Sequence, residues 1–406
     1  MEKKVNTPSL RFLGFNEPWK EKKLGDFGTV AMNRRIFKEE TSDHGDIPFY
    51  KIGTFGGKAD AFISRELFEK YKAAYPYPKP GDILISAAGS IGKTVEYTGK
   101  DEYFQDSNIV WLQHNSALDN SFLKCFYASV KWYGLEGSTI SRLYNSNILE
   151  THITLPSVNE QKKVGKFFNE ADALIASNEQ KIKKMEQFRQ AMLTKLFPAE
   201  GASEPALRFR GFSGEWEILK LKELADIQTG PFGSQLHKED YVQNGTPIVT
   251  VEHLGEKFFT EQNLPRVSDE DKKRLQKYTL HEGDIVFSRV GAIDRSSYVD
   301  EIHDGWLFSG RCLRVRPGRK VYPLYLYYYL QLASVKNFIY SIAVGGTMPS
   351  LNTLILGQVD IMVPNVVAQK KIGDFFAHLD DILSLQKEKL EKMRLLKAAL
   401  LDKLFV

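Results

Sequence analysis

The sequence predicts an α+β fold: two tandem globular domains separated by a pair of long antiparallel coiled-coil helices, laid out as a pseudo-two-fold internal repeat. Three observations lead there. The C-terminal half restates the plan of the N-terminal half, each half ends in a long helix of one heptad design, and the rest mixes short buried strands with short helices.

Each half opens alike. Leu10-Arg11-Phe12, Gly14-Phe15, Trp19 and Lys23-Leu24 return as Leu207-Arg208-Phe209, Gly211-Phe212, Trp216 and Lys220-Leu221, an offset of 197. Each half also closes alike: Leu155-Pro156, Gln161-Lys162-Lys163-Val164-Gly165-Lys166-Phe167-Phe168 and Lys195-Leu196-Phe197 return as Val363-Pro364, Gln369-Lys370-Lys371-Ile372-Gly373-Asp374-Phe375-Phe376 and Lys403-Leu404-Phe405, offset 208. The order along the chain is a globular domain at 1–155, a helix at 156–198, a second globular domain at 199–362 that begins with the linker 199–205, and a second helix at 363–406.

Within the globular parts, Gly81-Asp82-Ile83-Leu84-Ile85-Ser86 and Gly283-Asp284-Ile285-Val286-Phe287-Ser288 each read as a turn entering a short buried strand. Each runs into a Gly-containing loop, Gly89 to Lys93 and Gly291 to Arg295. Phe122 to Tyr127 and Leu324 to Tyr329 read as matching helices whose aromatics pack a core. The first long helix starts at Ser157-Val158-Asn159-Glu160, a capping box after Pro156, and stops before the Pro- and Gly-containing segment 198–205. Its seam is Val164, Phe168, Ala171, Ile175, Asn178, Ile182, Met185, Arg189, Met192 and Leu196; the second seam is Ile372, Phe376, Leu379, Leu383, Gln386, Leu390, Met393, Lys397, Leu400 and Leu404. Polar residues interrupt both at matched places, Asn178 with Gln386 and Arg189 with Lys397, and an antiparallel pair is expected to bring Asn178 close to Gln386.

Composition narrows the function. A hydrophobic content of 42% with 12% aromatics sustains packed cores in a chain of 406 residues. Two cysteines, Cys125 and Cys312, form neither a disulfide framework nor a Cys-rich metal site. With no apolar signal core at the N-terminus and no stretch near the ~18 apolar residues of a membrane span, the expectation is a soluble cytoplasmic protein. The net charge of +4 permits nucleic-acid binding, provided charge is segregated into runs such as Arg34, Arg35 and Lys38, or Arg311, Arg314, Arg316, Arg319 and Lys320.

Catalytic signatures are missing. Ala87 to Thr94 imitates a phosphate-binding loop, but Ala87 stands where the motif needs Gly, and the repeat partner has Asp294-Arg295 in place of Gly-Lys. There is no Pro-Pro pair for an amino-methyltransferase tetrapeptide, no Pro-Asp nuclease core, no His-Glu-x-x-His, no Cys-x-x-Cys and no Gly-x-Ser-x-Gly. No catalytic residue and no metal site is expected in this chain.

The repeated Leu-Arg-Phe-x-Gly-Phe-x-x-x-Trp opening, the Gly-Asp-Ile strand, the Gln-Lys-Lys-x-Gly-x-Phe-Phe helix start and the repeated helices resemble the specificity subunit of type I restriction-modification systems along essentially the whole chain. That resemblance implies two target-recognition domains, each reading one half of a bipartite, asymmetric double-stranded DNA target, with the helices as a ruler. It implies assembly with two modification subunits, which bring S-adenosylmethionine and methylate adenine at N6, and two restriction subunits, which bring ATP, Mg and cleavage. No cofactor is expected in this chain itself.

Base readout needs side chains at base edges. Loop residues that differ between copies within shared framework are the first candidates: Lys93 and Thr94 in one domain, Arg289, Asp294 and Arg295 in the other. Arg142 and Asn145, and Ser350 and Asn352, come second. Helix faces turned away from the seam are expected to meet the modification subunits. The alternatives are a coiled-coil scaffold and a stand-alone DNA-binding regulator.

Overall fold

The computed structural model describes residues 8–134, 142–231, 235–345 and 348–405; Gly137, Ser138, Thr139, Gly346 and Thr347, which precede the second-choice candidates, lie outside the described residues. The chain divides into two compact units, Met1–Gln180 with Glu388–Val406, and Lys181–Lys387.

The first unit carries strands β1 (Lys20–Lys23), β2 (Gly28–Met32), β3 (Ile47–Tyr50), β4 (Ala61–Ile63), β5 (Ile83–Ser86), β6 (Thr94–Glu96), β7 (Tyr103–Phe104), β8 (Ile109–His114) and β9 (His152–Leu155). Its helices are α1 (Arg65–Ala74), α2 (Asn120–Tyr127), α3 (Asn145–Glu150) and the first part of α4 (Val158–Leu196). An antiparallel sheet runs in the order β2-β8-β5-β6, and a smaller one in the order β4-β3-β7 with β3 and β7 parallel. Central β5 is buried along its length, which explains its unbroken apolar run. β5 returns through β6 with Leu84 opposite Val95, so the loop after Ser86 joins antiparallel strands and feeds no helix. That topology excludes a phosphate-binding loop at Ala87 to Thr94.

The second unit repeats this order. Its strands are β10 (Glu217–Lys220), β11 (Ala225–Thr229), β12 (Tyr241–Val242), β13 (Thr246–Val249), β14 (Arg266–Val267), β15 (Ile285–Ser288), β16 (Ser296–Tyr298), β17 (Leu307–Phe308), β18 (Cys312–Pro317) and β19 (Asp360–Val363). Helices α5 (Leu221–Leu224), α6 (Asp269–Arg274), α7 (Pro323–Leu330), α8 (Ala333–Ile342), α9 (Thr353–Leu356) and the first part of α10 (Val366–Leu404) accompany them. The sheet β11-β18-β15-β16 matches β2-β8-β5-β6, and β12-β14-β13-β17 adds an edge strand to the plan of β4-β3-β7. A two-stranded ladder leads into each long helix: β1 with β9, and β10 with β19.

The repeated helix-start motif has a packing cause. The Gln161 carboxamide accepts from Asp119 N at 2.9 Å and donates to Ala117 O and Pro156 O at 3.1 Å each. Gln369 does the same with Tyr322 N at 2.8 Å, Lys320 O at 3.3 Å and Pro364 O at 2.8 Å. A Cβ on Gly165 would lie 2.4 Å from the Ser121 Cβ, and one on Gly373 2.8 Å from Tyr325 N. Each glycine therefore lets its long helix cross α2 or α7 at close range, and Phe168 and Phe376 fill the cores beneath at 1% and 0% exposure. The aromatics of α2 and α7 are core, as expected: Phe122 and Tyr127 are buried, as are Tyr325 and Tyr327 to Tyr329. The capping box forms by half: Ser157 Oγ accepts from Glu160 N at 3.4 Å, but the Glu160 carboxylate turns to Arg11, which offers two charge-assisted bonds.

Every seam position of α4 and α10 is buried or half-buried, Phe168, Ile175, Asn178, Ile182 and Met185 on one helix and Phe376, Leu383, Gln386, Leu390 and Met393 on the other. In the first unit Asp172 pairs with Lys397 at 2.5 Å and Glu179 with Arg394 at 2.6 Å. In the second, Glu186 pairs with Lys387 at 2.7 Å and Arg189 with Asp380 at 2.5 Å. Within each unit the partner number falls as the first rises, so the segments run antiparallel. The Asn178 amide donates to Met393 Sδ at 3.4 Å, and in the second unit Gln386 Oε1 is buried without a hydrogen bond among the described residues. The polar interruptions Arg189 and Lys397 are explained as halves of ion pairs.

Candidate nucleic-acid interface

The hairpin tips of β5-β6 and β15-β16 carry the first candidates. Ser86 Oγ accepts from Lys93 N at 2.9 Å and closes the first tip. Lys93 Nζ then donates to Phe55 O at 2.5 Å, binding the tip to the loop that follows β3. Gly56 is required there: its φ is +71°, and a Cβ would lie 3.2 Å from Lys93 Nζ. Thr94 is the first residue of β6, opposite Ile85. Arg295 is the repeat equivalent of Lys93, and its side chain lies beside Gly255, where a Cβ would sit 3.7 Å from Arg295 Cδ. The two domains thus share one device, a basic hairpin residue laid against a glycine of the neighbouring loop.

The charges differ in their freedom. Arg295 and Arg311 are exposed, have no ion-pair partner among the described residues, and line one cleft of about 860 Å³ with Tyr241, Thr250 and Glu252. Asp294 is held by the Tyr340 hydroxyl, which donates to Oδ1 at 2.7 Å; this bond raises the phenol's pKa. The basic run after Arg311 divides. Arg316 donates to both Asp284 oxygens at 2.7 Å, the carboxylate being 1% exposed, and this bond raises the arginine pKa. Arg314 is buried and paired with Asp226, and burial pulls its pKa down. These two arginines hold strand β18 in place, while Arg311, Arg319 and Lys320 are exposed.

The remaining candidates sit at a second shared junction. Leu143 N donates to Ala87 O at 2.7 Å, and Leu351 N to Arg289 O at 2.8 Å. Arg142 in one repeat and Arg289 in the other lie on opposite sides of this junction, yet each ties down the loop before the long strand: Arg142 donates to Ser107 O at 2.8 Å, Arg289 to Gly310 O at 3.4 Å and Leu351 O at 3.3 Å. Asn145 is exposed at the start of α3, in a cleft of about 360 Å³ with Arg142 and Tyr144. Asn352 is the N-cap of α9, its Oδ1 accepting from Ile355 N at 2.8 Å, and Ser350 pairs its backbone with Val344. The side chain of Asn352 is thus committed to the fold.

Sequence reasoning passed over the aromatic partners of the basic run near Arg34. The Arg34 guanidinium lies 5.3 Å over the Tyr75 ring and Arg35 5.7 Å over Phe37, all on exposed residues. Only the tertiary placement of α1 brings Tyr75 there. Among the described residues no cluster of His, Cys, Asp or Glu could hold a metal ion, and no helix is long and apolar enough to cross a membrane.

Comparison with known proteins agrees with the repeat. The sequence model of the type I restriction modification DNA specificity domain matches twice, at residues 16–187 and 213–394. The chain is 46% identical over 192 residues to a Haemophilus influenzae protein whose name assigns it as a type I restriction enzyme specificity subunit; the match spans 45% of this chain and 50% of that relative. It is 24% identical over 327 residues to the MjaVIII specificity subunit of Methanocaldococcus jannaschii, covering 77% and 73% of the two chains. The fold is that of the type I restriction-modification system S subunit from M. genitalium, with a TM-score of 0.62 at 18% identity over 98% and 99% of the chains. The chain belongs to the type I restriction-modification DNA specificity family.

Proposed function

We propose that this chain is the DNA sequence-recognition subunit of a type I restriction-modification complex, itself without catalysis, each domain reading one half of a bipartite asymmetric target. The observation that carries the reading is the doubled specificity domain with unlike tips: one framework presents Lys93 against Gly56 and Arg295 against Gly255. A shared framework sets both readers in the same way, and unlike side chains make the half-sites unlike. Lys93, Thr94, Asn145, Arg295 and Arg311 are the residues assigned to DNA, with Arg142 and Arg289 positioning their loops.

The helices supply the docking face. Leu174, Phe188, Ile382 and Leu396 are each between 47% and 60% exposed, and they form two repeat-related pairs, Leu174 with Ile382 and Phe188 with Leu396. Apolar residues exposed at matched positions suit two copies of one partner, the modification subunit. S-adenosylmethionine, ATP and Mg belong to the partners. The deciding experiment is co-expression with the neighbouring modification subunit, followed by mapping of N6-methyladenine in host DNA. A bipartite motif with a fixed gap and adenines modified on opposite strands is expected; absence of any motif, with the partner active beside another specificity subunit, refutes the reading.

A further inference from the structure

One turn is built alike in both repeats and differs at its exposed third residue. Lys51 to Gly56 follows β3 and corresponds to Thr250 to Gly255 after β13. Thr54 N donates to Lys51 O at 2.9 Å, as His253 N does to Thr250 O at 3.1 Å. A side chain then closes each turn: Thr54 Oγ1 accepts from Lys51 N at 3.1 Å, and Nδ1 of the buried His253 accepts from Thr250 N at 3.1 Å. Phe55 and Leu254 come next and are buried, and Gly56 and Gly255 receive the basic hairpin residues Lys93 and Arg295. The third residue of the turn is exposed in both copies, Gly53 in one and Glu252 in the other.

Glu252 lines the same cleft as Arg295 and Arg311, yet none of the three has an ion-pair partner among the described residues. The carboxylate is held by its own turn. The Thr250 hydroxyl lies 2.9 Å from His253 Nδ1 and 3.1 Å from Glu252 Oε1, and because Nδ1 already accepts from Thr250 N, the hydroxyl proton goes to the carboxylate. Beside DNA such a group is repelled by phosphate, so it weakens sequence-independent binding. It gains only where a base presents a hydrogen-bond donor. In the major groove cytosine N4 and adenine N6 are donors, whereas guanine O6 and thymine O4 are acceptors. Adenine also turns its N7 acceptor to the groove, which a carboxylate cannot satisfy, so cytosine suits it best.

We propose that Glu252 accepts a hydrogen bond from N4 of a cytosine in the half-site read by the second domain. Repulsion from guanine O6 and thymine O4 at that place sharpens the selection. The arginines of the cleft supply the complementary contact, since guanine is the base that takes an arginine fork at O6 and N7. In the first domain Gly53 leaves the position open: a Cβ there meets nothing within 4 Å. One framework thus carries a reading residue in one copy and none in the other, which makes the half-sites unlike. The inference rests on the proposed function and deepens it by naming a residue and the base it selects.

The test uses the complex with the modification subunit and DNA duplexes varied in both half-sites, read by N6-methyladenine. The second domain's half-site is the one that Arg295→Ala weakens. With the intact chain, replacing one cytosine there by guanine or thymine is expected to lower methylation about fivefold or more. Glu252→Gln keeps the size of the side chain and adds a donor, so it is expected to remove that preference while leaving the other half-site and the gap as they were. Gly53→Glu is expected to create a preference for cytosine over guanine and thymine in the other half-site alone. A carboxylate that only repels phosphate would make Glu252→Gln raise methylation of every sequence alike, and one that only supports the turn would make it lower the melting temperature with the preference kept. Either result overturns the proposal, as does a second half-site with no position that requires cytosine. An intact complex that methylates no motif overturns the proposed function and this inference with it, and is thereby distinguished from failure at Glu252 alone.

Discussion

Lys93 and Arg295 occupy one place in the two repeats but in different states. The lysine ammonium is bound to Phe55 O, whereas the arginine head is exposed in its cleft. Arg295→Ala is therefore the cleaner probe of readout: a base contact is worth about 1–3 kcal/mol, so roughly tenfold or more is expected to be lost in methylation of targets, confined to one half-site. Lys93→Ala is expected to weaken the opposite half-site and also to speed amide exchange in residues 51–57, because it removes a tie between two loops; a methylation assay on half-site variants, with exchange mass spectrometry, checks both. The cysteines give a second prediction at this scale. Burial pushes the thiols of Cys125 and Cys312 up to about 12 from 9.0. The folded state therefore holds their protons longer than the unfolded one, so their contribution is intact below about pH 9 and is lost as the pH rises through about 12. Iodoacetamide at pH 8 should leave both unmodified in the native chain and alkylate both after denaturation. Asn352 shows why residue roles were only partly legible: the carboxamide that suits adenine also suits a helix N-cap, and the choice depends on α9 following it.

The helices show how repeated sequence acquires unequal energetics. Arg189–Asp380 and Lys397–Asp172 are the same pair in the two repeats, since Asp172 and Arg189 become Asp380 and Lys397 at offset 208. Their surroundings differ. Asp380 is 14% exposed and also accepts the Tyr328 hydroxyl at 2.7 Å, whereas Asp172 is 36% exposed. Removing the arginine strands a buried carboxylate; removing the lysine leaves one that water can reach. Arg189→Leu is expected to cost about 3 kcal/mol and Lys397→Leu under about 1 kcal/mol, measured by urea unfolding. Equal costs would show that burial does not set the difference. The two pairs that lie between these along the helices are not symmetric in charge: α4 supplies both acids, Glu179 and Glu186, and α10 both bases, Arg394 and Lys387. This asymmetry favours α4 against α10 over α4 against a second α4, where the glutamates would face each other.

At the scale of the whole molecule, the boundary between the compact units falls inside both helices, after Gln180 and after Lys387. Four residues inserted at Gln180 alone would displace every interhelical pair on one side of the insertion. Four residues inserted at both places leave the pairs within each unit intact, and lengthen each helix by about 6 Å. If the helices act as a ruler, methylation mapping of the double insertion should return both half-sites unchanged with a gap longer by about one to two base pairs. An unchanged gap with retained methylation would refute the ruler, and the single insertion is expected to lose stability instead.

The sequence by itself determined the repeat, the α+β class and the heptad seams, because these rest on periodic burial, and burial is written in the spacing of apolar residues. It also marked the Gln161 and Gln369 motif, although the reason, two carboxamides closing loop carbonyls and two glycines admitting a crossing helix, needed the packed structure. Tertiary structure alone decided which arginines face outward. Arg311, Arg314 and Arg316 read alike in the chain, yet Asp226 and Asp284 neutralise two of them across the sheet. It alone showed that Arg11 pairs with the buried Glu160 while its repeat equivalent Arg208 pairs with the exposed Glu204, because a charge is satisfied by neighbours in space, and residues 11 and 160 meet only when the chain has folded.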